Sequence, residues 1–161
     1  MNPSELDKQL LASQQYKERS WVKLISVIKR QLDAWATVEV ARQGYDDFKL
    51  GHMPLLMNIS PGGITNTELA KKARVTKQAM SKVVNELLEL GYIETIVHDS
   101  DKRSSVISLT AKGKQLVITA RKCMLKLEAE YEQQFGKQQF EKAKDMLLKI
   151  MHYNEDHLNP E

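Results

Sequence analysis

The residues best suited to chemistry lie between positions 74 and 103. Lys77, Gln78, Ser81, Lys82 and Asn85 recur at steps of four, while Ala79, Met80, Val83, Val84, Leu87 and Leu88 fill the positions between them. Wound into a helix, this run presents two cations, two amides and a hydroxyl opposite an apolar stripe. Those groups are the ones that read nucleic acid: Lys meets guanine acceptors, Gln or Asn bonds adenine in bidentate fashion, and Ser reaches either a base or a phosphate. Taken alone, the pattern also fits an ordinary solvated amphipathic helix. Its neighbours narrow the choice. Arg74 and Thr76 stand just before it, placed to hold backbone phosphates, and Asp101-Lys102-Arg103 form a second basic cluster beyond it. Asp101 can brace the Arg103 guanidinium in an extended pose suited to the negative potential of a minor groove.

The elements that must position these groups can be read from periodicity and caps. Thr65-Asn66-Thr67-Glu68 has capping-box spacing and predicts a short helix over 68–73. Thr76 is a good N-cap for a second helix running to about Leu90, with Gly91 as its left-handed stop. A turn of three or four residues between two helices is helix-turn-helix spacing. Residues 92–98 are β-branched and aromatic, 99–104 are polar, and 105–109 largely alternate, which predicts a hairpin with Lys102 and Arg103 at its tip. Thr110 caps a long helix over roughly 111–134, Gly136 breaks it, and a last helix covers about 137–153. Upstream, residues 4–18 read as an amphipathic helix or frayed arm. Residues 20–43 form a stronger helix ending at Gly44, and a short helix falls around 46–59 before the Ser60-Pro61-Gly62-Gly63 break.

Composition removes other classes. A chain of 161 residues allows one domain plus an appended oligomerisation element. The single Cys123 excludes an intramolecular disulfide and four-cysteine zinc modules. No basic n-region with an apolar run opens the sequence, and no stretch approaches the ~18 apolar residues of a membrane span, so a cytoplasmic protein without membrane contact is expected. The net charge of +3 is uneven: +1 over 1–64, +5 over 65–125 and −3 over 126–161. The positive charge therefore sits with the candidate nucleic-acid-reading residues.

The ordered run Thr67-Glu68-Leu69-Ala70, Val75 to Ser81, Leu87 to Ile93, Asp101-Lys102-Arg103 and Leu109-Thr110-Ala111-Lys112-Gly113 resembles the winged helix-turn-helix of the multiple-antibiotic-resistance-regulator (MarR) family over about residues 45–118. The resemblance implies a homodimeric transcription factor, often a repressor, whose terminal helices interlock and whose DNA is often released by a small ligand or an oxidant. It makes 77–90 the recognition helix and Lys102–Arg103 the wing tip. Two features depart from the pattern. Lys102 stands where the family often has a second Arg, and the N-terminal 1–19 segment is longer than a minimal member needs.

The expected architecture is mainly α with a small β-hairpin wing. It comprises dimerisation helices over 1–44, a winged helix-turn-helix over 45–118 and C-terminal dimerisation helices over 119–161. The expected partners are double-stranded DNA at a pseudo-palindromic site, a second copy of the chain and a small-molecule effector. Ile28, Leu32 and Trp35, with Phe140, Met146, Leu147, Ile150 and Met151, supply the apolar surface a dimer would bury. An effector pocket is expected where the dimer helices meet the winged domain, near Trp21, Trp35, His52, Met53 and Met57. Cys123 is more often a small buried hydrophobe than a sensor, and the four His residues show no metal-ligand spacing. No nucleophile triad, phosphate loop or carboxylate pair is visible, so neither an enzyme nor a cofactor is expected. The rival readings are a winged-helix protein-docking module and a small-molecule-binding protein with no DNA role.

Overall fold

Three helices of this chain stop in the same way, and the stops set the architecture. In the computed structural model, which describes residues 3–14, 16–97 and 105–158, helices α2 (Trp21–Arg42), α4 (Asn66–Lys72) and α5 (Lys77–Glu89) each end in a Schellman motif. Tyr45, Val75 and Tyr92 donate their amides to the carbonyls of Val40, Ala70 and Leu87. Gly44, Arg74 and Gly91 occupy the left-handed position that closes each motif. Ahead of α2 lie α1 (Pro3–Gln14) and a 3-10 turn at Lys17–Arg19.

The segment read as one short helix over 46–59 divides in two. A 3-10 turn spans Leu50–His52 and α3 covers only Met53–Met57. Pro54 explains the division. Without an N–H it suits the first turn of a helix, but it cannot sit inside one that began at residue 46. Strand β1 (Ile64–Thr65) was not anticipated. It is two residues long, too short for periodicity to reveal, and it exists because it pairs antiparallel with β3 (Ser105–Leu109). β3 also pairs with β2 (Ile93–Val97), so the sheet order is β1-β3-β2. The long helix α6 (Ala111–Phe135) and the last helix α7 (Lys137–His157) complete the chain, with Gly136 between them. The expected mainly α fold with a β-hairpin wing is what the structure contains, with the third short strand added.

The core lies under the winged segment. Leu56, Leu69, Leu87, Tyr92, Ile93 and Leu116 are fully enclosed, and Phe48, Met53, Ile64, Met80, Val84 and Ile107 join them. The terminal helices contribute little to it. Among the described residues, no position of α7 is buried.

Where α6 begins, its backbone presses directly on the peptide after α5. Thr110 Oγ1 accepts the Gly113 amide at 3.1 Å, as an N-cap, and donates to the Gly91 carbonyl at 2.7 Å. The Thr110 amide donates to the Tyr92 carbonyl at 3.2 Å. A methyl group on Gly113 would stand 2.0 Å from the Tyr92 carbonyl oxygen and 3.0 Å from its carbon. Lys112 Nζ donates to the Leu90 carbonyl at 3.0 Å and to Asp47 Oδ2 at 2.9 Å, and it lies 4.2 Å from the Tyr92 ring centre. The Tyr92 hydroxyl donates to Asp47 Oδ1. Burial pushes the Tyr92 phenol pKa up, and its hydrogen bond to Asp47 pushes it the same way.

Two outcomes follow from this junction. Gly113→Ala must displace backbone rather than a flexible side chain, so urea melts should show a loss of more than about 2 kcal/mol. A change under about 0.5 kcal/mol, the size usual for surface positions, would refute the contact. The Asp47 carboxyl is held below its ordinary value of 3.8, first by the Lys112 hydrogen bond and then by that of Tyr92. A folded-state pKa below the unfolded one gives stability that is full above the unfolded value and is lost as pH falls through the lowered one. Asp47→Asn should therefore flatten the dependence of unfolding free energy on pH below about pH 4, measured by denaturant melts at successively lower pH. An unchanged slope would remove Asp47 from the junction.

Candidate nucleic-acid interface

The helix-turn-helix is built from two caps and one strained residue. Thr65 Oγ1 accepts the Glu68 amide at 3.2 Å, and Glu68 Oε2 accepts the Thr65 amide at 3.0 Å, which completes the capping box of α4. Bonding from the Thr65 backbone and then from its hydroxyl lowers the Glu68 pKa. At the start of α5, Thr76 Oγ1 accepts the Ala79 amide at 3.1 Å. The amides of Lys77 and Gln78 belong to the same first turn and have no carbonyl within the helix to bond, so this end favours an anion. Between the helices Arg74 has a φ of +52°, and it is the one non-glycine residue with positive φ among those described.

The two faces of α5 separate as the spacing predicts, with one exception. Met80, Val84 and Leu87 are buried, and Val83 and Leu88 are half-buried. Ala79, placed on the apolar side by its sequence step, is exposed. It lies at the margin of the stripe in the first turn, where the domain does not reach. Lys77, Gln78, Lys82 and Asn85 are exposed together, and Arg74 and Thr76 are exposed beside them. Lys71 and Lys72, in the last turn of α4, add two exposed cations that the sequence argument did not single out.

Ser81 is the member of the set with another use. Its hydroxyl accepts from Asn66 Nδ2 at 2.9 Å and donates its one proton to the Lys77 carbonyl at 2.9 Å. The residue therefore ties α4 to α5, and in this arrangement it has no proton left for a ligand. Asn66 was missed by sequence reasoning because it reads only as an interior letter of the capping box. Its Oδ1 is buried without a partner.

The hairpin strands reach Val97 and resume at Ser105. The residues assigned to the wing tip, Asp101, Lys102 and Arg103, lie outside the described residues.

A cavity lies near the residues named for an effector pocket, with a partly different lining. A cavity of about 720 Å3 lies between α2, α3 and α6. Trp35, Met53 and Met57 line it, together with Val40, Leu50, Gly51, Ala120, Cys123 and Met124. Trp21 does not. It stands at the first turn of α2, fourteen residues before Trp35, which at about 1.5 Å per residue is some 20 Å away along the helix. His52 is also absent from the lining, because its ring faces Glu86 on α5, with Nε2 3.8 Å from Oε2. Burial pushes the Cys123 thiol pKa up, and Glu39 nearby adds to the shift. Among the described residues no group of three His, Cys, Asp or Glu side chains could hold a metal. No described helix is long and apolar enough to cross a membrane.

Two capped helices at this spacing, followed by a hairpin against the same core, define a winged helix-turn-helix. Residues 46–104 match the model of the MarR family. Of curated proteins, the repressor YetL of Bacillus subtilis is 32% identical over 74 residues, 46% of this chain and 44% of YetL. An uncharacterised HTH-type regulator of Mycobacterium bovis is 30% identical over 69 residues, 43% of this chain and 48% of that one. The chain thus spans about half the length of the curated relatives it matches. Solved structures extend the likeness of fold over nearly the whole chain. A MarR family transcription regulator aligns with a TM-score of 0.67 at 19% identity, covering 95% of both chains. The reduced form of Escherichia coli MarR aligns at 0.67 and 20%, covering 81% of this chain and 96% of that one. Staphylococcus aureus MepR, crystallised in complex with DNA, aligns at 0.62 and 20%, covering 83% and 97%.

A left-handed conformation costs a non-glycine residue roughly 1–2 kcal/mol, and far fewer β-branched side chains tolerate it than glycine does. Arg74→Gly should therefore melt no lower than the parent. Arg74→Val should melt several degrees lower, at about 2–4 °C per kcal/mol for a chain of this size. Equal melting of the two variants by circular dichroism would remove the strain assigned to this turn.

Proposed function

We propose that this chain is a sequence-specific DNA-binding transcriptional regulator that acts as a homodimer on a pseudo-palindromic site in the cytoplasm, as a ligand-responsive repressor. The observation that carries the reading is the exposed face of α5, where Lys77, Gln78, Lys82 and Asn85 project opposite buried Met80, Val84 and Leu87. Those four side chains enter the major groove. Arg74, Thr76 and the open α5 amides hold phosphates beside it. Ser81 acts from behind by fixing α5 on α4, and Lys102 and Arg103, supported by Asp101, serve the wing.

The homodimer rests on surface that one chain leaves uncovered. Trp21, Leu24, Ile25 and Ile28 on α2 and Met146, Leu147 and Met151 on α7 are exposed large apolar residues. Soluble monomers rarely carry so much exposed apolar surface. A two-fold pair would set its two recognition helices about one DNA turn apart, ~34 Å. The effector reading rests on the cavity between α2, α3 and α6, whose walls are mostly apolar and suit a small, largely apolar molecule.

Selection from random duplexes, followed by titration across salt concentrations, tests the whole reading. The log of the binding constant should fall linearly with log salt by about 0.9 per phosphate neutralised, and Lys77→Ala should reduce the slope by about one. Gln78→Ala or Asn85→Ala should relax preference at one base pair by about 1–3 kcal/mol, whereas Arg103→Ala should weaken binding evenly across sequences. A slope near zero, or no enrichment of any sequence, would exclude the proposal.

A further inference from the structure

The geometry points to residues 49–52 as the element through which the cavity acts on the recognition helix, with Glu86 as the point of grip. This inference rests on the DNA-binding reading of α5. The segment has two sides. Leu50 and Gly51 form part of the cavity wall. Lys49 and His52, immediately on either side of them, both reach Glu86: Lys49 Nζ is hydrogen-bonded to Oε1, and His52 Nε2 lies 3.8 Å from Oε2. Glu86 follows Asn85 and lies one turn beyond Lys82, so it belongs to the same helix as the side chains assigned to the groove.

The rest of the segment is anchored rather than free. Phe48 is buried and packs edge-on against Tyr92, with ring centres 5.2 Å apart, and His52 stands edge-on to Phe48 at 6.3 Å. Asp47 is tied to Tyr92 and Lys112. A molecule that displaces Leu50 and Gly51 therefore cannot simply swing the loop away. The displacement is passed to Lys49 and His52, whose only acidic partner shown here is Glu86. The Nδ1 atom of His52 is buried without a hydrogen-bond partner, and its Nε2 faces the Glu86 carboxylate. Lys49, His52 and Glu86 are positioning residues. They touch neither the cavity contents nor DNA, and they set the orientation of α5 as a function of what the cavity holds.

The chain offers its own means of filling the cavity. Cys123 is the only cysteine and lies in the wall. Alkylation with N-phenylmaleimide places an aromatic group there, and equilibrium binding to the selected duplex is then compared before and after labelling. For the parent chain, labelling should lower affinity by on the order of tenfold, within the usual range of coupling between two sites. In Glu86→Gln, and separately in Lys49→Gln, that ratio should shrink at least twofold, while Lys49→Arg keeps it. The ratio is the informative quantity, because a merely structural role would alter labelled and unlabelled protein alike. If one variant fails to fold, the other gives the same comparison. The inference is overturned if labelling leaves the parent's affinity unchanged, or if both variants keep the parent's ratio within twofold. Failure of unlabelled parent protein to bind any selected duplex brings down the DNA-binding reading itself, and this inference with it.

Discussion

The contact on which the rest of this molecule depends is the crossing of two backbones, where Gly113 lies against the carbonyl of Tyr92. Any side chain at 113 would collide with main chain, which cannot rotate away as a side-chain tip can. The crossing is held from both sides. Thr110 closes the first turn of α6 and bonds the peptides after α5, while Lys112 reaches back to the Leu90 carbonyl and across to Asp47. Three elements are fixed by this one approach: the end of α5, the root of the hairpin and the start of α6. If the crossing opens, α5 loses the stop that sets its length and direction.

The same economy governs the other end of α5. Its N-cap, its preceding Schellman motif and the Asn66–Ser81–Lys77 chain of hydrogen bonds are all local, spanning at most fifteen residues. Local bonds cost little chain entropy to close, so the helix can be held accurately on a small core. Arg74 shows what the function adds to this. A glycine would satisfy the backbone there as Gly44 and Gly91 do in the other two motifs. A cation at that position is instead beside the anion-favouring end of α5, so the turn accepts some strain in exchange for charge.

Much of this was legible in the sequence. Caps and glycine stops gave α4, α5 and α6 to within about two residues, because they depend on residues three or four apart. The separation of faces on α5 followed from period alone. What escaped detection needed tertiary knowledge. β1 is defined only by its pairing with β3, residues 46–52 resist a helix because Pro54 follows, and the bond from Asn66 to Ser81 joins residues that nothing local links. Of the residues lining the cavity, Met53, Met57 and Trp35 were recoverable from their place between α2 and the winged segment. Trp21 was not excluded by residue type, only by the length of helix separating it from Trp35. His52 illustrates the hardest case, since its neighbours Leu50 and Gly51 face the cavity while its own ring turns toward α5.

The helix α6 orders these parts along one axis. Gly113 lies at the junction with the wing, Ala120, Cys123 and Met124 line the cavity, and Glu128 and Tyr131 meet Lys144 and Phe140 of α7. At 1.5 Å per residue the three stations are about 10–15 Å apart. A continuous helix of 25 residues transmits a tilt better than a series of loops would, because its hydrogen bonds hold each turn to the next. The cavity wall thus lies midway along a helix whose near end is pinned at Gly113 and whose far end meets α7. If the near end cannot move, the looser connection between the cavity and α5 is the segment at residues 49–52, where the contacts to α5 are made by the side chains of Lys49 and His52 rather than by backbone. Surface ion pairs are individually weak, worth at most about 1 kcal/mol. That weakness lets them be rearranged by a ligand of ordinary affinity, while the crossing at Gly113 keeps the domain folded as they do so.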